Sequence, residues 1–160
     1  MKFTTWNVNS INARIDHLIK FIKIDQSDVY LLQELKCIEE KFPKKEIEKL
    51  GYKSYVNGQK AWNGVAFLSK KPLNILNNNI PTFKEDDNAR FLEAEIVIKK
   101  LNKKIRLINI YLPNGNPIET SKFDYKIEWM KKFNKYILDL YNKNIPLIIG
   151  GDFNVIPNDE

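Results

Sequence analysis

An α/β fold, a mixed sheet with helices packed over it, is predicted by three features of this 160-residue sequence. Short runs rich in Val, Ile, Leu, Phe and Tyr recur from end to end. Two longer segments carry apolar residues at helical spacing. Gly, Pro, Asn and Asp punctuate the joints. No internal repeat, low-complexity tract or linker divides the chain, and its length suits one domain.

Lys2 to Val8 reads as a strand rich in Phe, Thr, Trp and Val, and Asn9 and Ser10 can open the helix that follows. In that helix Ile11, Ile15, Leu18, Ile19 and Ile22 form one apolar face. Val29 to Leu32 is a second strand, with Gln33 and Glu34 at its end. Pro43 to Leu50 reads as a short helix, Pro43 suiting its first turn and Gly51 its stop. From Tyr52 the pattern changes to strands at Tyr52–Asn57, Gly64–Ser69, Leu73–Asn77, Phe91–Ile98 and Lys104–Leu112, which predicts an antiparallel meander. In Phe91–Ile98 the residues Leu92, Ala94, Ile96 and Ile98 share one face, and Glu93 and Glu95 point the other way. After a Pro- and Gly-containing loop, a helix from about Ser121 to Tyr141 carries Phe123, Ile127, Met130, Ile137 and Tyr141 on one side. Pro146 to Ile149 is a final strand, running into Gly150-Gly151-Asp152-Phe153-Asn154.

Hydrophobic residues at 43% and charged residues at 29% place the chain among globular proteins rather than disordered or membrane ones. Its apolar runs are too short to span a bilayer, and its start lacks the apolar region of a signal peptide, so the expected location is the cytoplasm. Cys37 is the single cysteine and has no neighbouring base to activate it, so it is read as an inert thiol. The net charge of +6 suits a polyanionic partner. It does not establish one, because 23 of the 26 basic residues are Lys and the chain is rich in Lys, Ile and Asn throughout. The run Lys99, Lys100, Lys103, Lys104 and Arg106 reads as a solvated hairpin, and His17 as a surface residue of the first helix.

Position makes five polar residues informative. Asn7, Glu34, Tyr111, Asp152 and Asn154 all fall at or just beyond predicted strand ends, the edge where sheet proteins with helical crossovers form binding crevices. Singly, each suits an Asx turn, a strand-end charge or ordinary strand material. Together they supply hard oxygen ligands for a divalent cation, a carboxylate able to deprotonate water, and neutral donors for a phosphate oxygen.

At these residues the sequence resembles the exonuclease III family of apurinic/apyrimidinic endonucleases, within the endonuclease/exonuclease/phosphatase superfamily. The matching pieces are Thr5-Trp6-Asn7-Val8-Asn9-Ser10-Ile11, Leu32-Gln33-Glu34-Leu35-Lys36, Trp62-Asn63-Gly64-Val65-Ala66, Tyr111-Leu112-Pro113-Asn114-Gly115 and Gly151-Asp152-Phe153-Asn154-Val155-Ile156-Pro157. They come in the family's order and span the chain. One departure is Leu35, where the family commonly has Thr.

The resemblance implies a two-sheet α/β sandwich and magnesium-dependent hydrolysis of DNA phosphodiesters, manganese being an alternative metal. Metal ligands would be Asn7, Glu34, Asp152 and Asn154. Asp152 would activate water, Asn154 would position water and phosphate, and Tyr111 would hydrogen-bond the scissile phosphate. The substrates implied are abasic sites and 3′ ends in double-stranded DNA, handled by a monomer. Gln59, Lys60, Trp62, Asn63, Asn114 and Asn116 stand where DNA could be gripped. It also implies that residues 1–160 form an incomplete domain, lacking a C-terminal half that carries a further Asp, an Asp–His pair and most of the facing sheet. Without them the chain is expected to be nearly inactive. Two other readings are a phosphatase or phospholipid phosphodiesterase of the same superfamily, and a non-catalytic module that binds DNA or a partner.

Overall fold

The apolar segments fold into eight strands and three α-helices in a computed structural model that describes residues 1–98 and 102–156. Lys99, Lys100 and Pro157 lie outside the described residues. Strand β1 (Phe3–Asn7) leads into helix α1 (Ile11–Asp25), which returns the chain so that β2 (Val29–Gln33) pairs parallel to β1. Helix α1 buries Ile11, Leu18 and Ile22, most of the predicted stripe, and exposes His17. Ser10 occupies the cap position, but its hydroxyl makes no capping bond. The N–H groups of Ser10 and Ile11 instead donate to the carbonyls of Glu34 and Leu35, at 2.7 and 3.1 Å. That satisfies two helix-end donors and ties the start of α1 to the end of β2.

A one-turn helix α2 (Lys44–Glu48) precedes β3 (Lys53–Asn57) and β4 (Val65–Ser69), and these strands complete a first sheet of order β1-β2-β4-β3. The second sheet has the order β5-β6-β7-β8, built from β5 (Asn74–Asn77), β6 (Phe91–Ile98), β7 (Lys103–Tyr111) and β8 (Leu147–Asp152). Helix α3 (Ser121–Asn142) connects β7 to its parallel neighbour β8.

The single meander expected from Tyr52 to Leu112 is therefore wrong: the chain changes sheets between β4 and β5. The cause is visible in β4, where all five residues are buried, and in β6, where Phe91, Leu92, Glu93 and Ala94 are. Such strands need cover on both faces, and stacking the sheets provides it. Val29, Leu31, Val65 and Phe67 of the first sheet meet Leu92, Ala94, Ile96 and Leu107 of the second. Tyr30, Leu32, Ala66 and Leu68 face α1 and α2, while Phe91, Ile108 and Ile110 face α3. At roughly 1.5–3 kcal/mol for each large apolar side chain fully buried, these layers are the main stabilising term. The described residues thus build four strands of each sheet.

On α3 the fully packed stripe is Trp129, Phe133, Tyr136 and Leu140, shifted around the helix from the predicted one. Tyr141 is 72% exposed, while Phe123, Ile127, Met130 and Ile137 flank the stripe half-buried. Glu93 lies under this stripe, fully buried, accepting from the Tyr136 hydroxyl at 2.8 and 2.9 Å and paired with Arg106 at 2.7 Å. A buried carboxylate is tolerable only with such partners.

Both ends of the first sheet are fastened by polar side chains. At one end Asp25 accepts from Lys2, Thr4, Ser27 and Tyr30. At the other, Asn109 of β7 reaches across the sandwich and donates to the carbonyls of Leu32 and Ala66, both at 2.9 Å. Its Oδ1 accepts from Gln33 Nε2 at 2.8 Å. Both side chains are buried, so this bridge fixes how the sheets register directly beneath the site.

Candidate active site

The two parallel pairs, β1 with β2 and β7 with β8, end on the same edge of the sandwich. Asn7 is the last residue of β1, Glu34 follows β2, Tyr111 ends β7 and Asp152 ends β8. The five residues read from strand ends are thus brought to one place. Asn7 Nδ2 donates to Glu34 Oε1 and to Asp152 Oδ2, each at 2.7 Å, and the Tyr111 hydroxyl donates to the same Glu34 oxygen at 2.9 Å. Asp152 Oδ1 accepts the backbone N–H of Asn154 at 3.0 Å, and Asn154 Nδ2 donates to the Leu112 carbonyl at 2.8 Å.

Backbone geometry at this edge is unusual. Glu34 has φ 54° and Asn154 φ 46°, left-handed conformations that non-glycine residues adopt at a cost of order 1–3 kcal/mol. Glu34 holds its conformation because its own carbonyl is bonded to Ser10, while the next residue, Leu35, donates to Gly64 at 3.1 Å. Leu35 is fully buried and packs where any side chain on Gly64 would stand. The Leu at this position thus serves as packing.

Electrostatics suit a charged Glu34 beside a neutral Tyr111. Burial alone would raise the Glu34 carboxyl, but hydrogen bonds from Asn7, Lys36 and Tyr111 outweigh it and hold the group below the ordinary carboxylate range. Lys36 Nζ sits 2.9 Å from Glu34 Oε2. Burial, and then the bond to Glu34, push the Tyr111 phenol up to about 12, so it is a hydrogen-bond donor at neutral pH.

Two grooves meet here. One, of about 560 Å³, is lined by Asn7, Gln33, Asp152, Phe153 and Asn154; the other, of about 540 Å³, by Glu34, Lys36, Trp62, Arg90, Tyr111 and Tyr125. Asn114 and Asn116 line both, so their loop forms the ridge between them. Gln59 and Asn63 line the second groove, and Trp62 stands 69% exposed on its wall, whereas Lys60 is exposed but outside this lining. Asn63 is buried and its amide nitrogen is already engaged by Gln59 and Asn88, so it braces the wall.

Sequence reasoning missed several residues that shape these grooves. Arg90 lies over the Tyr111 ring at 4.8 Å and donates to the Tyr111 carbonyl at 3.2 Å. Asp86 accepts from Tyr125 at 2.9 and 3.0 Å and from Asn88 at 2.8 Å, linking α3 to the wall of the second groove. Lys126 and Asn109 were also overlooked. Composition held one signal: Arg90 is one of only three Arg in a chain whose other cations are Lys.

In this sandwich a carboxylate follows β2, and a Gly-Asp-Phe-Asn segment carries the chain out of the end of β8. The chain belongs to the Endonuclease/Exonuclease/phosphatase family, which it matches over residues 4–160. It is 34% identical to exodeoxyribonuclease III of Haemophilus influenzae over 99% of its own length and 59% of that protein. An exodeoxyribonuclease of Bacillus subtilis is 28% identical, over 97% of this chain and 59% of that one. Among solved structures, a 3′ phosphatase from Neisseria bound to a product DNA hairpin superposes with a TM-score of 0.90 and 32% identity, over 99% of this chain and 60% of that one. An AP endonuclease from Archaeoglobus fulgidus does so with a TM-score of 0.87 and 29% identity, over 99% and 59%. The chain spans about three-fifths of the length of these relatives. No helix among the described residues is long and apolar enough to cross a membrane.

Proposed function

We propose that this site belongs to a magnesium-dependent DNA-repair nuclease that hydrolyses phosphodiesters at abasic sites and at 3′ ends of duplex DNA. One observation carries the reading: two carboxylates from different sheets, Glu34 and Asp152, converge on a single amide nitrogen, with a neutral phenol on one of them. The names of the relatives, exodeoxyribonucleases and AP endonucleases, favour DNA over other phosphodiesters.

The donor set fits magnesium. Among the described residues no three His, Cys, Asp or Glu side chains cluster, which rules out an all-protein cage built from them. Magnesium is usually held by one or two carboxylates and keeps several waters, which Glu34 and Asp152 can supply and allow. When bound, the ion would stabilise charge developing on the phosphate oxygens and the leaving group. Asn7 has two parts to play, because its Nδ2 faces the carboxylates while its Oδ1, which accepts the Asn9 N–H at 3.0 Å, keeps a second lone pair for the ion or its waters. It orients the two carboxylates toward each other.

Asp152 is the proton acceptor for the attacking water. Each of its oxygens accepts one fixed hydrogen bond, which leaves further lone pairs free and aimed into the groove. When substrate binds, the Tyr111 hydroxyl turns its single proton from Glu34 to a phosphate oxygen, and Asn154, held by the Leu112 carbonyl, orients water and phosphate. Trp62, Asn114 and Asn116 face the duplex from the groove walls. Calorimetric titration with Mg²⁺ or Mn²⁺ tests the site: Glu34→Gln should weaken binding about tenfold or more. Unchanged affinity would remove Glu34 as the principal ligand.

A further inference from the structure

We propose that Lys126, on the second turn of α3, is a positioning residue that bolts the loop after β7 to the turn after β8, and so sets where Asn114 and Asn154 stand. The inference rests on the phosphodiesterase reading above. Lys126 Nζ donates to the Asn154 carbonyl at 2.7 Å and to the Asn114 carbonyl at 3.0 Å. These carbonyls belong to different segments, each leaving the end of one strand of the parallel β7–β8 pair. One ammonium therefore joins the two chain segments that carry Asn114 and Asn154.

Three further observations point the same way. The loop rests on the Lys126 stem itself: a side chain on Gly115 (φ 76°) would collide with the Cδ and Cβ atoms of Lys126, so glycine lets the loop lie against it. Asn154 sits in a left-handed conformation, which needs outside support, and Lys126 takes its carbonyl while Asp152 takes its N–H. Among the described residues no carboxylate lies within ion-pairing distance of Lys126, so its charge is spent on the two carbonyls. Lys126 lines neither groove, so it acts through the ridge of Asn114 and Asn116 rather than by touching the substrate.

The test compares the 160-residue chain with Lys126→Met, which keeps the stem and removes the donors, and Lys126→Arg, which restores them. The readouts are the NMR amide signals of Asn114 and Asn154 and the affinity for an abasic-site duplex in EDTA at several salt concentrations. In Lys126→Met both amide signals should move, and the duplex should bind about tenfold more weakly, the effect of losing charge-assisted bonds. The slope of log affinity against log salt should stay the same, because no phosphate contact is lost. Lys126→Arg should return both readouts to within about threefold of the parent.

Unmoved amide signals in Lys126→Met would overturn the proposal, as would an Arg variant no better than Met. A salt slope reduced by about 0.9 would also overturn it, since Lys126 would then contact a phosphate directly. If the parent chain itself does not bind duplex DNA, the DNA reading falls. The amide signals then decide alone: movement in Met with return in Arg sustains the positioning role, and no movement ends it.

Discussion

Replacing Asn109 by Leu isolates the bridge that registers the two sheets under the site. Leu is close in size and apolar, so it leaves no large cavity and the cost is almost purely that of hydrogen bonds. Three are lost: two to the carbonyls of Leu32 and Ala66 and one from Gln33 Nε2. At a net 0.5–1.5 kcal/mol each, with full burial placing them toward the upper end, the loss is about 2–4 kcal/mol. For a chain of this length that corresponds to a fall in Tm of roughly 6–12 °C, measured by thermal melting and checked by urea denaturation. The double variant Gln33→Leu with Asn109→Leu should cost more than the single one, because Gln33 Nε2 also donates to Thr5 Oγ1 at 3.1 Å and to the Leu31 carbonyl at 3.0 Å, and those bonds go with it. A single-variant cost below about 1 kcal/mol would refute the claim that this bridge holds the sheets in register.

Other consequences follow from the same structure. Hydrogen bonds from Lys2, Ser27, Tyr30 and Thr4 outweigh burial and hold the Asp25 carboxyl well below its ordinary range. Its stabilising contribution is therefore complete above about pH 4 and is lost as pH falls through the depressed folded value. Asp25→Asn should then destabilise the protein at neutral pH, with the gap to the parent narrowing in acid, and a gap independent of pH in urea titrations would count against this. Gly151 has φ 147°, and a Cβ there would run into the Ile110 carbonyl. Gly151→Ala should cost about 3 kcal/mol or more and displace Asp152 from Asn7, visible as a loss of metal affinity in calorimetry. A variant as stable as the parent would mean that the β7–β8 spacing can relax.

Strand and helix positions were legible because their signals are local. Apolar runs bounded by Gly, Pro and Asn give each strand, and helical spacing gives α1 and α3. Which sheet a strand joins was not legible, because β3 to β7 are short apolar runs parted by turn residues whether they form one meander or two layers; only the double-sided burial of β4 and β6 decides it. The α3 stripe slipped because Trp129, Phe133 and Tyr136 repeat at three- and four-residue steps beside an equally apolar neighbouring set. Residues that touch the chemistry were found through their strand-end positions and motifs. Residues that act through others, such as Asn109, Asp86, Arg90 and Lys126, carry no local pattern, since a buried Asn or a helix Lys looks ordinary until the contact across the fold is seen.

The most direct test of the central claim is cleavage of an abasic-site duplex with magnesium. It compares the chain, its Asp152→Ala variant, and a form extended through any downstream reading frame, each with an EDTA control. The account expects cutting by the extended form that needs magnesium and falls by at least about a hundredfold in Asp152→Ala, with the 160-residue chain weaker. Cutting that survives Asp152→Ala, or that persists in EDTA, would contradict it.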